Sequence, residues 1–148
     1  MVRLESEIQE VLAAKDTKDA LQRFKNLEEQ CSEKREMYQY WPLYLAGLKG
    51  QRSCNRARGF KLIMKTVKWD EQQQLDKYLP EILAVLDDEK SITVRQCIPY
   101  LRELLEVRPE LRPLIIRKLE QLELSKYKES MQSLIARDIA NLLEKLGD

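Results

Sequence analysis

Apolar residues recur along this chain three and four positions apart, the spacing of one face of a helix. Ile8, Val11 and Leu12 mark a first helix, and Leu21, Phe24 and Leu27 a second, capped by Asp16 or Thr17. Met37, Trp41, Tyr44 and Leu48 share the next face. After a turn from Lys49 to Ser53, Phe60, Ile63, Met64 and Val67 form another stripe. Asp70 to Gln73 reads as a capping box for a helix running to about Leu86. Ser91 is placed to cap its successor, in which Val94, Ile98, Leu101 and Leu105 align and Pro99 should force a kink. Pro109 suits the start of the next helix, where a missing N–H costs least. Met131, Leu134, Ile135, Ile139, Leu142, Leu143 and Leu146 outline the last one, with Gly147 as its stop. The pattern predicts an all-α domain over 1–148, with about eight helices in four antiparallel pairs near 2–31, 33–68, 70–107 and 109–146.

The pairs repeat. Trp41 to Ile63 aligns with Leu79 to Leu101 at an offset of 38, placing Pro42 on Pro80, Leu45 on Leu83, Ala46 on Ala84, Leu48 on Leu86 and Ser53 on Ser91. A third partial copy sets Pro113, Ile116 and Leu119 on Pro80, Leu83 and Leu86 at an offset of 33. Helical repeats of this length signify a solenoid. Leu79, Pro80, Leu83 and Leu86, the acidic turn Asp87-Asp88 and then Val94-Arg95 resemble a HEAT repeat of the armadillo-like superfamily. The match is good over 79–105, fair over 41–67 and weak at both ends. The 41–67 copy departs from it, with Lys49-Gly50 where acids belong, and Pro99 is unusual inside a second helix. The resemblance implies a right-handed α-α superhelix with first helices on the convex side and second helices on the concave, macromolecule-binding side. It also implies a structural ladder in which the Arg opening a second helix reaches an acid of a neighbouring turn: Arg95 to Asp87 or Asp88, with Arg56 as the counterpart of Arg95.

Composition narrows the chemistry. Leu, Glu, Lys, Arg and Gln, all good helix formers, dominate a chain with 4 Gly and 5 Pro. Histidine is absent, which removes the commonest general base and metal ligand. The 3 cysteines, Cys31, Cys54 and Cys97, are far apart, so neither a disulfide framework nor a zinc site is expected. No phosphate-binding glycine loop is present. No apolar run is long enough to span a bilayer, and acids occupy the N-terminal stretch where a signal peptide needs an apolar core. The expectation is a cytoplasmic, non-enzymatic protein without cofactor or membrane attachment.

One stretch stands apart. Lys49 to Lys68 carries seven Lys or Arg and no acid, within a net charge of +1. Arg58, Lys61, Lys65 and Lys68 fall opposite the core stripe. Aligning successive second helices sets Lys65 between Glu29 and Glu103, and Lys68 between Ser32 and Glu106. Lys25, Arg58 and Lys61 have less compensation. The expected contact residues are therefore Lys25, Arg58, Lys61 and Lys65, with Tyr38 and Tyr40 as aromatic anchors lying off the centre of their helix face. The leading expectation is a non-catalytic module that binds protein, as a monomer or an end-to-end homodimer. The alternative is nucleic-acid binding through Arg58, Lys61 and Lys65, which a broader basic excess would favour. Trp69-Asp70 loosely resembles the Trp and Asp of HEAT-like DNA glycosylases, but is expected to mark an inter-repeat turn.

Overall fold

The computed structural model describes residues 2–147 and contains only helices and turns among them. Among the described residues nine α-helices run α1 Val2–Ala13, α2 Lys18–Glu33, α3 Trp41–Gly47, α4 Ser53–Thr66, α5 Gln74–Leu83, α6 Ser91–Cys97, α7 Leu101–Val107, α8 Arg112–Glu120 and α9 Glu129–Leu146. A 3₁₀ turn, Ile98–Tyr100, joins α6 to α7, so these two form one interrupted rod and the helical rods number eight. The interruption falls at Pro99, whose ring cannot continue an α-helical hydrogen-bond ladder. α5 likewise tightens into a 3₁₀ turn, Ala84–Asp87, four residues after Pro80.

The helix starts use several devices. Thr17 accepts a hydrogen bond from the Ala20 amide at 3.1 Å, as an N-cap should. At the third pair the capping differs from the four-residue box expected. Asp70 accepts from the amides of Gln74 and Leu75, both at 2.9 Å, and the chain turns through Gln73 at φ 55 to bring them there. Ser91, expected as a cap, is instead the first residue of α6, which has no side-chain cap; Asp88 accepts from the Lys90 amide at 2.9 Å in the turn before it.

α4 sits at the centre, packed by α1, α2, α3, α6 and α7. Its expected stripe of Phe60, Ile63 and Met64, continued by Val67 in the 3₁₀ turn that follows, is buried, and so are Ala57 and Leu62 on its flanks. In α2 the buried residues are Ala20, Phe24, Leu27 and Cys31, spaced 4, 3 and 4. Leu21 lies one position off that stripe and is 46% exposed, so it does not belong to the core as expected. Met37, Trp41, Tyr44 and Leu48 are buried together as predicted, although Met37 belongs to a 3₁₀ segment, Arg35–Tyr40, that precedes α3.

α3 and α4 approach closely at two glycines. A Cβ on Gly59 would stand 2.8 Å from the Tyr44 carbonyl oxygen and 3.1 Å from the carbonyl carbon of Gly47, so only hydrogen fits. Buried polar groups are paired beside this crossing. The Trp41 indole donates to Thr66 Oγ1 at 2.7 Å, Thr66 donates to the Leu62 carbonyl at 2.8 Å, and the Tyr44 hydroxyl donates to the Met37 carbonyl at 2.8 Å.

Candidate functional site

α2, α4, the α6–α7 rod and α9 pack in sequence, each against the next. The long basic stretch is the start and body of α4, and most of its cations face this stack or the loops beside it.

The first group fastens α1. Four carbonyls at a helix C-terminus lack intrahelical donors, and α1 has no basic residue in its last turn to serve them. α4 supplies the donors. Arg52 donates to the Ala13 carbonyl at 3.0 Å and Asn55 to the Ala14 carbonyl at 2.9 Å. Arg58 donates to the carbonyls of Val11 at 2.9 Å, Ala14 at 2.8 Å and Lys15 at 3.3 Å. It is 5% exposed, so the structure places this expected contact residue inside, as a cap on another helix. Its nearest carboxylate, on exposed Asp16, lies at 4.0 Å.

The second group joins neighbouring pairs. Arg56 meets Asp88 at 2.6 and 3.4 Å and also donates to the carbonyls of Gly50 and Gln51. Tyr127 donates its hydroxyl to the Asp88 carbonyl, so that turn holds two successive pairs. Asp87 pairs with Lys118 rather than with an Arg of a second helix. Arg95 does not reach Asp87 or Asp88. It points along the stack to Asp138 of α9, at 2.7 and 3.2 Å. The reason is positional: Asp88 is already occupied by Arg56, and α9 packs directly on α6.

The third group crosses the row of helices. Lys65 donates to Glu103 at 2.8 Å, and Lys68 to Ser32 at 3.4 Å. Glu106 pairs instead with Arg102 on its own helix at 3.5 Å. Lys61 donates to Gln96 at 3.0 Å and lies 5.6 Å from the ring centroids of both Phe24 and Tyr100. Burial pushes its ammonium pKa below the ordinary lysine value. The Tyr100 hydroxyl donates to Glu28 of α2, across α4. Burial and the adjacent Glu28 carboxylate push the Tyr100 pKa upward. Lys25 is exposed on α2 and makes no ion pair with a described residue.

The tyrosines expected as anchors face inward. Tyr38 is half-buried, donates to Asp70, accepts from the Gln74 side-chain Nε2 at 2.7 Å and meets Trp41 edge to face at 5.2 Å. Tyr40 is 8% exposed. Both sit in the 3₁₀ segment, where a tighter turn rotates them away from the positions an α-helix would give. Trp69 donates its indole N–H to the Cys31 carbonyl at 3.0 Å, and Asp70 caps α5, so this pair lies in the connection between α4 and α5.

Two exposed apolar side chains lie on this face: Leu21, which the periodicity had placed in the core, and Ile92, which it had not singled out, 46% and 53% exposed. The signal was present for Leu21, because Ala20 and not Leu21 completes the 4-3-4 spacing of α2.

No group of three or more Cys, Asp or Glu side chains among the described residues is arranged to hold a metal ion. No described helix is long and apolar enough to cross a membrane. Compared with known proteins, the chain matches no family model, no curated protein and no solved structure.

Proposed function

We propose that this chain is a HEAT-like solenoid, a right-handed superhelix of stacked helix pairs, acting in the cytoplasm as a non-catalytic binding module for another protein. The observation that carries the solenoid is the regular sequence distance of its polar contacts. Arg56–Asp88 and Tyr38–Asp70 are 32 residues apart, Lys61–Gln96 are 35, Lys68–Ser32 are 36, and Lys65–Glu103 and Trp69–Cys31 are 38. These contacts join one pair to its neighbour, as in a quasi-one-dimensional stack, with Tyr100–Glu28, 72 residues apart, as an exception. The row of second helices then supplies a continuous surface for a partner.

The charge distribution favours protein over nucleic acid. Of the four cations on the α4 face, Arg58 is used internally, Lys65 has Glu103 and Lys68 has Ser32. Lys25, Lys61 and Lys68 have no carboxylate partner among the described residues, and three such cations release few of the counterions on which phosphate affinity depends.

The test is co-purification of a partner with the wild-type chain and with a Lys25→Glu, Lys65→Glu variant, beside fluorescence anisotropy on single-stranded and duplex oligonucleotides at about 50 mM salt. A partner retained by the wild type and lost by the variant, without oligonucleotide binding, is the expected result. Salt-sensitive oligonucleotide binding and no protein partner would overturn the reading. Light scattering on the same preparation separates monomer from end-to-end dimer.

A further inference from the structure

We propose that the cleft between α2 and α6, over the start of α4, seats an acidic peptide of the partner, with a carboxylate on Lys61 and an adjoining apolar side chain between Leu21 and Ile92. This deepens the protein-binding reading of the second-helix face and rests on it.

The cleft has a volume of about 150 Å³, room for a side chain. Its walls are Leu21 from α2 and Ile92 from α6, Arg58 and Lys61 of α4 line its floor with the buried ring of Phe24, and the exposed carboxylate of Asp16 stands at its rim beside Arg58. Single exposed apolar residues are ordinary on protein surfaces. These two border one small concavity from adjacent helices of the row, and they are the most exposed of the large apolar side chains on α2 and α6.

The floor supplies the charge. Lys61 has a neutral amide and two aromatic rings as its partners and no ion pair with a described residue. Arg58 spends its donors on carbonyls, which leaves its positive charge opposed by Asp16 alone, at 4.0 Å and 80% exposed. Glu28, the other acid that acts on Lys61, is engaged by the Tyr100 hydroxyl. Lys25 stands one helical turn beyond Leu21 on α2, adding a third cation at the edge. A partly desolvated ammonium gains most from an ionised acceptor, because the charge-assisted bond replaces hydration already lost.

A peptide satisfies both halves of this site. Its carboxylate answers the floor, and its neighbouring aliphatic or aromatic side chain answers the walls. A nucleic acid answers only the floor: the walls offer no exposed aromatic face for a base to stack on.

The test is a methyl-detected NMR titration of the full chain with the peptide Glu-Glu-Leu-Phe-Glu-Glu at millimolar concentration, with its all-Gln analogue and oligo-dT as comparisons. Cys54, at the cleft floor and the one cysteine of the three that is not buried, gives a second readout through its alkylation rate. The expected result is a shift of the Leu21 and Ile92 methyls by the acidic peptide alone, with Cys54 protected. Ile92→Asp and Lys61→Gln should each weaken binding about tenfold, as loss of one central contact does. Both substitutions lie outside the buried core, and circular dichroism confirms that they fold. Three outcomes would overturn the inference: no shift at millimolar peptide, equal shifts with the Gln analogue, or oligo-dT occupying the cleft instead. None of these touches the partner co-purification result, which judges the wider reading separately.

Discussion

The guanidinium of Arg58 on α4 donates to the main-chain carbonyl of Val11 at the end of α1, at 2.9 Å and 5% exposure. The same nitrogen reaches Ala14 at 2.8 Å, so one side chain closes the C-terminus of a helix 44 and 47 residues away. A cation used in this way is part of the fold. Arg58→Met should therefore destabilise the chain by about 2–3 kcal/mol, the loss expected for buried hydrogen bonds to a charged donor. Urea unfolding measures it. A variant as stable as the wild type would return Arg58 to the set of free surface cations.

Arg56 and Asp88 hold the next junction, with side chains 19% and 5% exposed. Asp88→Asn should cost about 3 kcal/mol, since Arg56 would remain in place without its charge partner. In a double-mutant cycle with Arg56→Met, the coupling should be at least about 1 kcal/mol. Additive losses would show that the two residues act independently.

Gly59 carries a steric requirement. Gly59→Ala places a methyl 2.8 Å from a backbone oxygen, and α3 and α4 must separate to admit it. The expected cost is roughly 1–3 kcal/mol, typical of overpacking. It opposes the small stabilisation that Gly→Ala brings in an unobstructed helix, so thermal unfolding decides by the sign alone.

The thiols should differ in reactivity. Burial pushes Cys31 up to about 11 and Cys97 up to about 12, which leaves almost no thiolate at neutral pH. Iodoacetamide at pH 8 should modify Cys54 in the native chain and all three cysteines in denaturant, counted by mass spectrometry. Fast native labelling of Cys97 would mean that α6 opens readily.

Stability should fall in alkali. Burial first, and then the bond to Asp70, raise the Tyr38 hydroxyl from 10.0 to about 12. A folded-state value above the unfolded one means that the stabilisation is complete below about pH 10 and is lost as pH rises through about 12. Burial raises Tyr44, Tyr100 and Tyr127 in the same direction. Absorbance at alkaline pH should show these four tyrosines ionising late, and promptly once the chain is unfolded.

Much of this fold was legible because its core stripes are strongly periodic. Phe60, Ile63, Met64 and Val67 were predicted as core and are buried. Less was visible where the backbone leaves the α geometry. The 3₁₀ segment Arg35–Tyr40 rotates Tyr38 and Tyr40 inward, and nothing in a 3.6-residue projection anticipates that. The cross-helix alignment set Lys65 between Glu29 and Glu103 and Lys68 between Ser32 and Glu106; the Glu103 and Ser32 contacts form, whereas Glu106 pairs with Arg102 on its own helix. It failed for Arg58, whose partners are carbonyls. Main-chain acceptors at a helix end carry no side-chain signature, so a sequence shows only that α1 lacks a terminal cation of its own.

The hydrogen bond from Tyr100 to Glu28 differs from the rest in one respect. It joins residues 72 apart and passes over α4, whereas Lys61–Gln96 and Lys68–Ser32 each link one helix with the next. A stack held only by neighbour contacts flexes like a spring. With α2, α4 and the α6–α7 rod tied at all three sides, the middle of this molecule is a braced triangle. Bending there would strain the Tyr100–Glu28 bond.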